Sequence, residues 1–196
     1  MEINLAEEKK FIQIILGYST GIRPSMNYFL EYCARLKDSK AWKKIGGLNF
    51  EKELPGIQQW INQTISAHPP TDNIQAFWFG VYHPVLNDGV TSCDLYISGS
   101  PRFNAGDRSG GWAHLGDDSY LPEGCYAKSG ILDEMYHLVH KFNVAPQGEN
   151  ILCLGYASLV VKSALSLVDK KYRFCKYGPR PVAVGLENGS FILLNL

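Results

Sequence analysis

Two apolar runs joined at Asn87-Asp88-Gly89 limit the fold of this chain more than any other feature. The first run, NIQAFWFGVYHPV, is apolar on both of its alternating faces. Ala76, Trp78, Gly80 and Tyr82 share one face, and Phe77, Phe79 and Val81 share the other. A strand without a wet face belongs at the centre of a sheet, or under cover on both sides. The second run, VTSCDLYISGS, sets Thr91, Cys93, Leu95 and Ile97 against Ser92, Asp94, Tyr96 and Ser98, so one of its faces is wetter. The turn between them favours antiparallel pairing. A second hairpin follows near the end, where PVAVGL and SFILLN flank Glu187-Asn188-Gly189. Asn-Gly between apolar runs is a strong hairpin signal, because both residues accept positive φ.

The remaining segments read as helices. Asn4 and Glu7 form a capping pair ahead of a stripe of Phe11, Ile12 and Ile15, which ends at Gly17. Met26, Phe29, Leu30, Cys33 and Leu36 recur at helical spacing, with Trp42 and Ile45 carrying the stripe on to Gly46-Gly47. A third helix is predicted from about residue 55 to 66, before His68-Pro69-Pro70. Ser129 caps a fourth, and Asn150 a fifth that is apolar nearly all round and therefore the most buried. Segregated helices and hairpins predict an α+β domain spanning residues 1–196, with residues 1–70 as a helical part. The expected core is an antiparallel sheet of about four strands, from the two hairpins, covered by about five helices.

Composition removes several function classes. Lys+Arg and Asp+Glu each number 19, which argues against a general nucleic-acid binder. The basic aromatic stretch KKYRFCKYGPR, residues 170–180, is the one segment suited to stacking single-stranded nucleic acid, and it reads as readily as a surface connection. No signal-peptide pattern opens the sequence, and no apolar run reaches the roughly 18 residues of a spanning helix. A cytoplasmic protein without membrane association is the expectation. The five cysteines lack a C-x-x-C pair and read as free, mostly buried thiols.

Chemistry concentrates in one long connection, residues 99–126, which holds six glycines. Connections of this length in a compact domain usually carry function. Its candidates are Arg108, Trp112, His114, Asp117, Asp118 and Tyr120. His114, Asp117 and Asp118 offer one nitrogen and two carboxylates, but no metal framework or calcium-loop spacing surrounds them. Gly106-Asp107-Arg108-Ser109-Gly110-Gly111 lacks the strand-to-helix context of a phosphate loop. For a Cys–His nucleophile, Cys153 pairs on paper with His137 or His140, and Cys125 is the more exposed thiol without a paired base. No catalytic set, metal site or cofactor is therefore assigned. A loop rich in Trp, Tyr, Arg and Asp has the composition of a protein-binding hot spot, with Trp112 and Tyr120 as anchors. Two alternatives stay open: a small hydrolase or ligand-binding enzyme using residues 101–126, and a purely structural loop with Trp112 plugged into the core.

Three motifs carry a resemblance: DLYISGS before a Trp-centred loop, YLPEGCYAKSGIL leading into a helix, and LCLGYASLVVKSAL before VAVGLENGSFILL. Together, over residues 73–196, they resemble small bacterial immunity proteins of polymorphic toxin systems. That resemblance implies a non-enzymatic protein whose partner is a toxin-like protein.

Overall fold

The computed structural model describes residues 5–18, 21–85, 91–107, 109–113 and 115–196. The expected Asn4 cap and the Asn87-Asp88-Gly89 turn lie outside the described residues. In chain order, α1 (Leu5–Tyr18), α2 (Ile22–Leu36), α3 (Lys40–Gly46) and α4 (Leu54–Ala67) precede β1 (Ala76–Tyr82) and β2 (Asp94–Ser100). After the long loop come β3 (Tyr126–Ala127), α5 (Gly130–Lys141) and α6 (Ala145–Gln147). A π-helical segment, Gly148–Cys153, joins α6 to α7 (Leu154–Leu165). The short ribbon β4 (Phe174–Cys175) and β5 (Gly178–Pro179) precedes β6 (Val182–Leu186) and β7 (Phe191–Leu194).

The fold is α+β, with a five-stranded sheet ordered β3-β2-β1-β6-β7. Strand β1 is central, as its two apolar faces demand. Both hairpins form, and Val85 and Thr91 extend the first by one further bridge. The sheet is mixed rather than wholly antiparallel, because β1 and β6 join the hairpins in parallel, with Phe79 beside Val184. Pattern gives each hairpin its internal register but contains no term for how two hairpins abut. The fifth strand, β3, comes from the end of the long loop, where Tyr126 pairs with Tyr96.

Phe77, Phe79, Val81, Leu95, Ile97, Val182, Val184 and Ile192 form the inner face and are all buried. Helix α7 lies against this face and α4 lies beside it. Each large side chain so buried contributes about 2–3 kcal/mol. Every described residue of α7 is buried except Lys162 and Ser163. Two helical expectations change. The stripe running to Ile45 breaks after Leu36, and Ser39 caps a separate α3 by accepting a hydrogen bond from Ala41 N. Asn150 caps nothing: it sits mid-helix in the π-helical segment, 8% exposed. Ser129 does cap α5, accepting from Leu132 N at 3.1 Å.

Buried polar groups stitch the layers together. The Arg180 side chain donates to the carbonyls of Ile74 at 2.8 Å, Tyr172 at 2.9 Å, Thr71 at 3.0 Å and Phe174. This single guanidinium ties the segment entering β1 to the one entering β6. Glu53 accepts from Tyr156 Oη at 2.9 Å, Ile131 N at 3.3 Å and Ser129 Oγ, joining α4, α5 and α7. No helix among the described residues is long and apolar enough to cross a membrane.

Candidate protein-binding surface

The outer face of the sheet is paved with aromatic rings. Alternation puts Trp78, Gly80 and Tyr82 of β1 outward, beside Tyr96 of β2 and Ala183 and Gly185 of β6. Two glycines make the paving possible. A Cβ on Gly80 would fall 1.9 Å from the Tyr96 ring, and one on Gly185 would fall 2.1 Å from the Trp78 ring. Both rings therefore lie flat on bare backbone. Burial raises the Tyr96 pKa, against a lowering effect of the neighbouring Trp78 indole.

The long loop caps half of this face. Trp112, expected as an exposed anchor, is 7% exposed and packs edge-on against Trp78, Phe103 and Phe191 at centroid distances of 5.8, 5.0 and 6.3 Å. Ser100 Oγ pins it by donating to the Trp112 carbonyl at 2.5 Å. The reason is chemical: the outward face of β1 and β7 is too apolar to leave wet, and the indole is the largest ring the loop can lay on it. Tyr120, the second expected anchor, is half-buried. Its backbone bridges to Gly99, its ring meets Phe77 at 6.1 Å, and its hydroxyl donates to the His68 carbonyl at 2.6 Å. Desolvation by burial raises its pKa.

Among the described residues, the charged candidates of the loop do not converge. Asp117 and Asp118 are exposed, and Asp118 meets Arg102 only at 3.9 Å across solvent. Arg108 and His114 lie outside the described residues. Asp107 accepts from Ser109 N at 2.9 Å and Ser109 Oγ at 2.6 Å, bonds that lower its pKa and close a local turn. Cys125, read as the more exposed thiol, is 4% exposed, and burial pushes its pKa up. All five cysteines are free thiols, four of them buried. No group of three or more His, Cys, Asp or Glu side chains among the described residues is placed to hold a metal.

At the β2–β3 end the paving is uncovered. Tyr82, Tyr96 and Tyr126 form a triangle with centroid distances of 5.8, 5.2 and 6.1 Å. Tyr126 is 56% exposed on the two-residue edge strand. Mutual ring packing holds the three in place before anything binds, so little rotamer freedom is left to lose on association. Sequence reasoning missed Tyr126, although the alternation already put Tyr82 and Tyr96 outward. The missing signal was the pairing of β3, which no periodicity carries over two residues.

No family model matches this chain, and no curated protein or solved structure is significantly similar to it.

Residues far apart in sequence do converge elsewhere, around the π-helical segment. His83 Nδ1 lies 3.1 Å from Glu187 Oε2, the His83 ring also neighbours the Cys93 thiol, and Cys93 in turn neighbours Cys153. The bond to Cys93 and the pairing with Glu187 outweigh desolvation and raise the His83 pKa to about 9. Contact with Cys153 and burial push the Cys93 thiol far up, against the lowering effect of His83. The same segment supplies Glu149, 2.7 Å from His140 Nε2, and Asn150, which bonds Asn188 at 3.3 Å. The order thiol, imidazole, carboxylate is that of a cysteine nucleophile site. Cys93 is 0% exposed and held neutral, so its sulfur is neither a thiolate nor within reach of a substrate. Cys153, assigned on paper to His137 or His140, meets Cys93 instead and lies within a continuous helix rather than opening one.

Proposed function

We propose that this chain is a non-catalytic protein-binding module of the immunity type, which neutralises a toxin-like partner in the cytoplasm. The observation that carries this reading is the Tyr82–Tyr96–Tyr126 triangle, half-buried at Tyr82 and Tyr96 and open at Tyr126, at the end of the sheet face that the loop does not cap. Tyrosine offers a large contact area with few rotatable bonds and a hydroxyl at its tip, which is why it recurs among interface anchors. The partner surface therefore moves from Trp112, which is spent on the fold, to the tyrosine end of the outer face, and Tyr120, packed on Phe77 of the inner face, is not part of it. Asp117 and Asp118 stand in solvent and Cys125 is buried, which favours recognition over a hydrolase using residues 101–126.

Co-expression tests the proposal. The product of the adjacent gene is produced with the wild-type chain or with Tyr126→Asp, and growth is followed. Rescue by the wild type and its loss in a stably folded Tyr126→Asp variant is the expected outcome. Equal growth with and without the wild-type chain would sink the reading.

A further inference from the structure

A second surface lies at the opposite end of the sheet from the tyrosines. Helix α1 runs beside the edge strand β7 and leaves an open groove of about 500 Å³ between them. Its floor is apolar, formed by Phe191 and Leu193 of β7 with Leu5 and Ala6 of α1. Gln13 and Leu193 also line a narrower continuation past Leu16 and Gly17 to Asn195. From Leu5 to Gly17 the helix wall extends about 18 Å at 1.5 Å per residue, enough for an extended segment of five or six residues.

The charge of the walls is lopsided. Lys9 and Lys10 both face the groove, and neither has an ion-pair partner among the described residues. The Lys9 ammonium sits 5.4 Å above the Phe191 ring, a placement that costs it hydration and lowers its pKa by burial. The far wall contributes one carboxylate, Asp107, one of whose oxygens is already engaged by the Ser109 amide and hydroxyl. A desolvated cation without an anion gains most from a ligand that brings one. The apolar floor between the lysines and Leu193 asks for a bulky side chain next to that anion.

We infer that the groove between α1 and β7 docks an extended acidic segment of the partner protein, with carboxylates on Lys9 and Lys10 and an aliphatic or aromatic side chain on Phe191 and Leu193. This rests on the protein-binding reading and adds the chemistry of one segment that the partner presents.

The test is a random peptide library displayed on phage and panned against the full chain, with the enriched peptides then titrated by fluorescence polarisation. Enriched sequences should place acidic residues beside a bulky apolar one. Their affinity should fall roughly tenfold in Lys9→Ala/Lys10→Ala and fall further as salt is raised. Ala6→Trp, at an exposed position lining the groove, should block binding without unfolding the chain. Tyr126→Asp should leave peptide affinity unchanged. No enrichment, enrichment without acidic residues, or affinity indifferent to the lysine and Ala6 variants would overturn the inference. So would self-association lost in Ala6→Trp, which would assign the groove to a second copy. If the whole partner binds Lys9→Ala/Lys10→Ala as tightly as wild type, the groove fails and the proposed function stands. If acidic peptides bind the groove but the partner is not bound, the proposed function fails and the groove stands.

Discussion

Residues 99–126 and the surroundings of the π-helical segment are opposites. The loop gathers Arg102, Asp117 and Asp118 within a short stretch of sequence, yet the fold turns them outward to solvent. Around the π-helical segment, His83, Cys93, Cys153 and Glu187 are scattered over a hundred residues, yet the fold brings them into one chain of contacts. Proximity in sequence is a poor guide to convergence, because a glycine-rich loop can point neighbouring side chains in any direction. What decides is the scaffold: two strand ends, a helix and a hairpin turn meet at one point and aim their side chains inward. The loop buries its Trp112 ring, and the cluster exposes the Glu187 side chain of its salt bridge.

Variants at either region sharpen this contrast. The largest effect belongs to Trp112→Ala. It removes the ring that closes the outer face over Trp78 and Phe191, and about 3–5 kcal/mol of stability should be lost in urea denaturation. A loss below about 1 kcal/mol would make the loop a loose cover rather than part of the core.

The cluster should respond to pH. His83 has its pKa raised from 6.5 to about 9, so its charge stabilises the folded state fully below pH 6.5, and that contribution is lost as pH rises through 9. Unfolding free energy should fall by about 1–2 kcal/mol over this window, the exposure of Glu187 holding it below the full linkage value. Glu187→Gln should reduce this fall without abolishing it, since Cys93 supplies the larger share, and an unchanged slope in that variant would remove Glu187 from the account.

Thiol chemistry separates the regions kinetically. Cys175 is the one cysteine that is not buried, so iodoacetamide should label it first in native protein. Cys93 and Cys125 should stay unlabelled until the chain unfolds, because burial keeps both thiols neutral and covered. Rapid native labelling of Cys93, mapped by peptide mass spectrometry, would reopen the nucleophile reading.

The smallest effect falls on the loop charges. Arg102 and Asp118 are 83% and 62% exposed at 3.9 Å, so Asp118→Asn should change stability by no more than about 0.5 kcal/mol.

Much of the fold was legible in the sequence, since burial writes itself into periodicity. The two apolar faces of β1 gave its central place, and the unbroken apolar run at residues 151–161 gave the most buried helix. The π-helical segment was not legible, because a widened turn leaves apolar spacing almost unchanged and left Asn150 looking like a cap. Nor was the parallel β1–β6 seam, which depends on how two finished hairpins pack on α7. The outer face was half legible: alternation set Tyr82 and Tyr96 outward, but only the register of β3 adds Tyr126 and completes the triangle. Trp112 shows the limit most plainly. Its composition class fits an interface and a core equally, and only the apolar floor left by Gly80, Ala183 and Gly185 decides between them.

The central claim is that the tyrosine end of the outer face is the partner surface. Amide hydrogen exchange of the chain alone and in complex with the adjacent gene's product tests it directly. The account predicts new protection along β2 and β3 around Tyr96 and Tyr126, with the inner helices α4 and α7 unchanged. Absence of a complex, or protection confined to surfaces away from these strands, would contradict it.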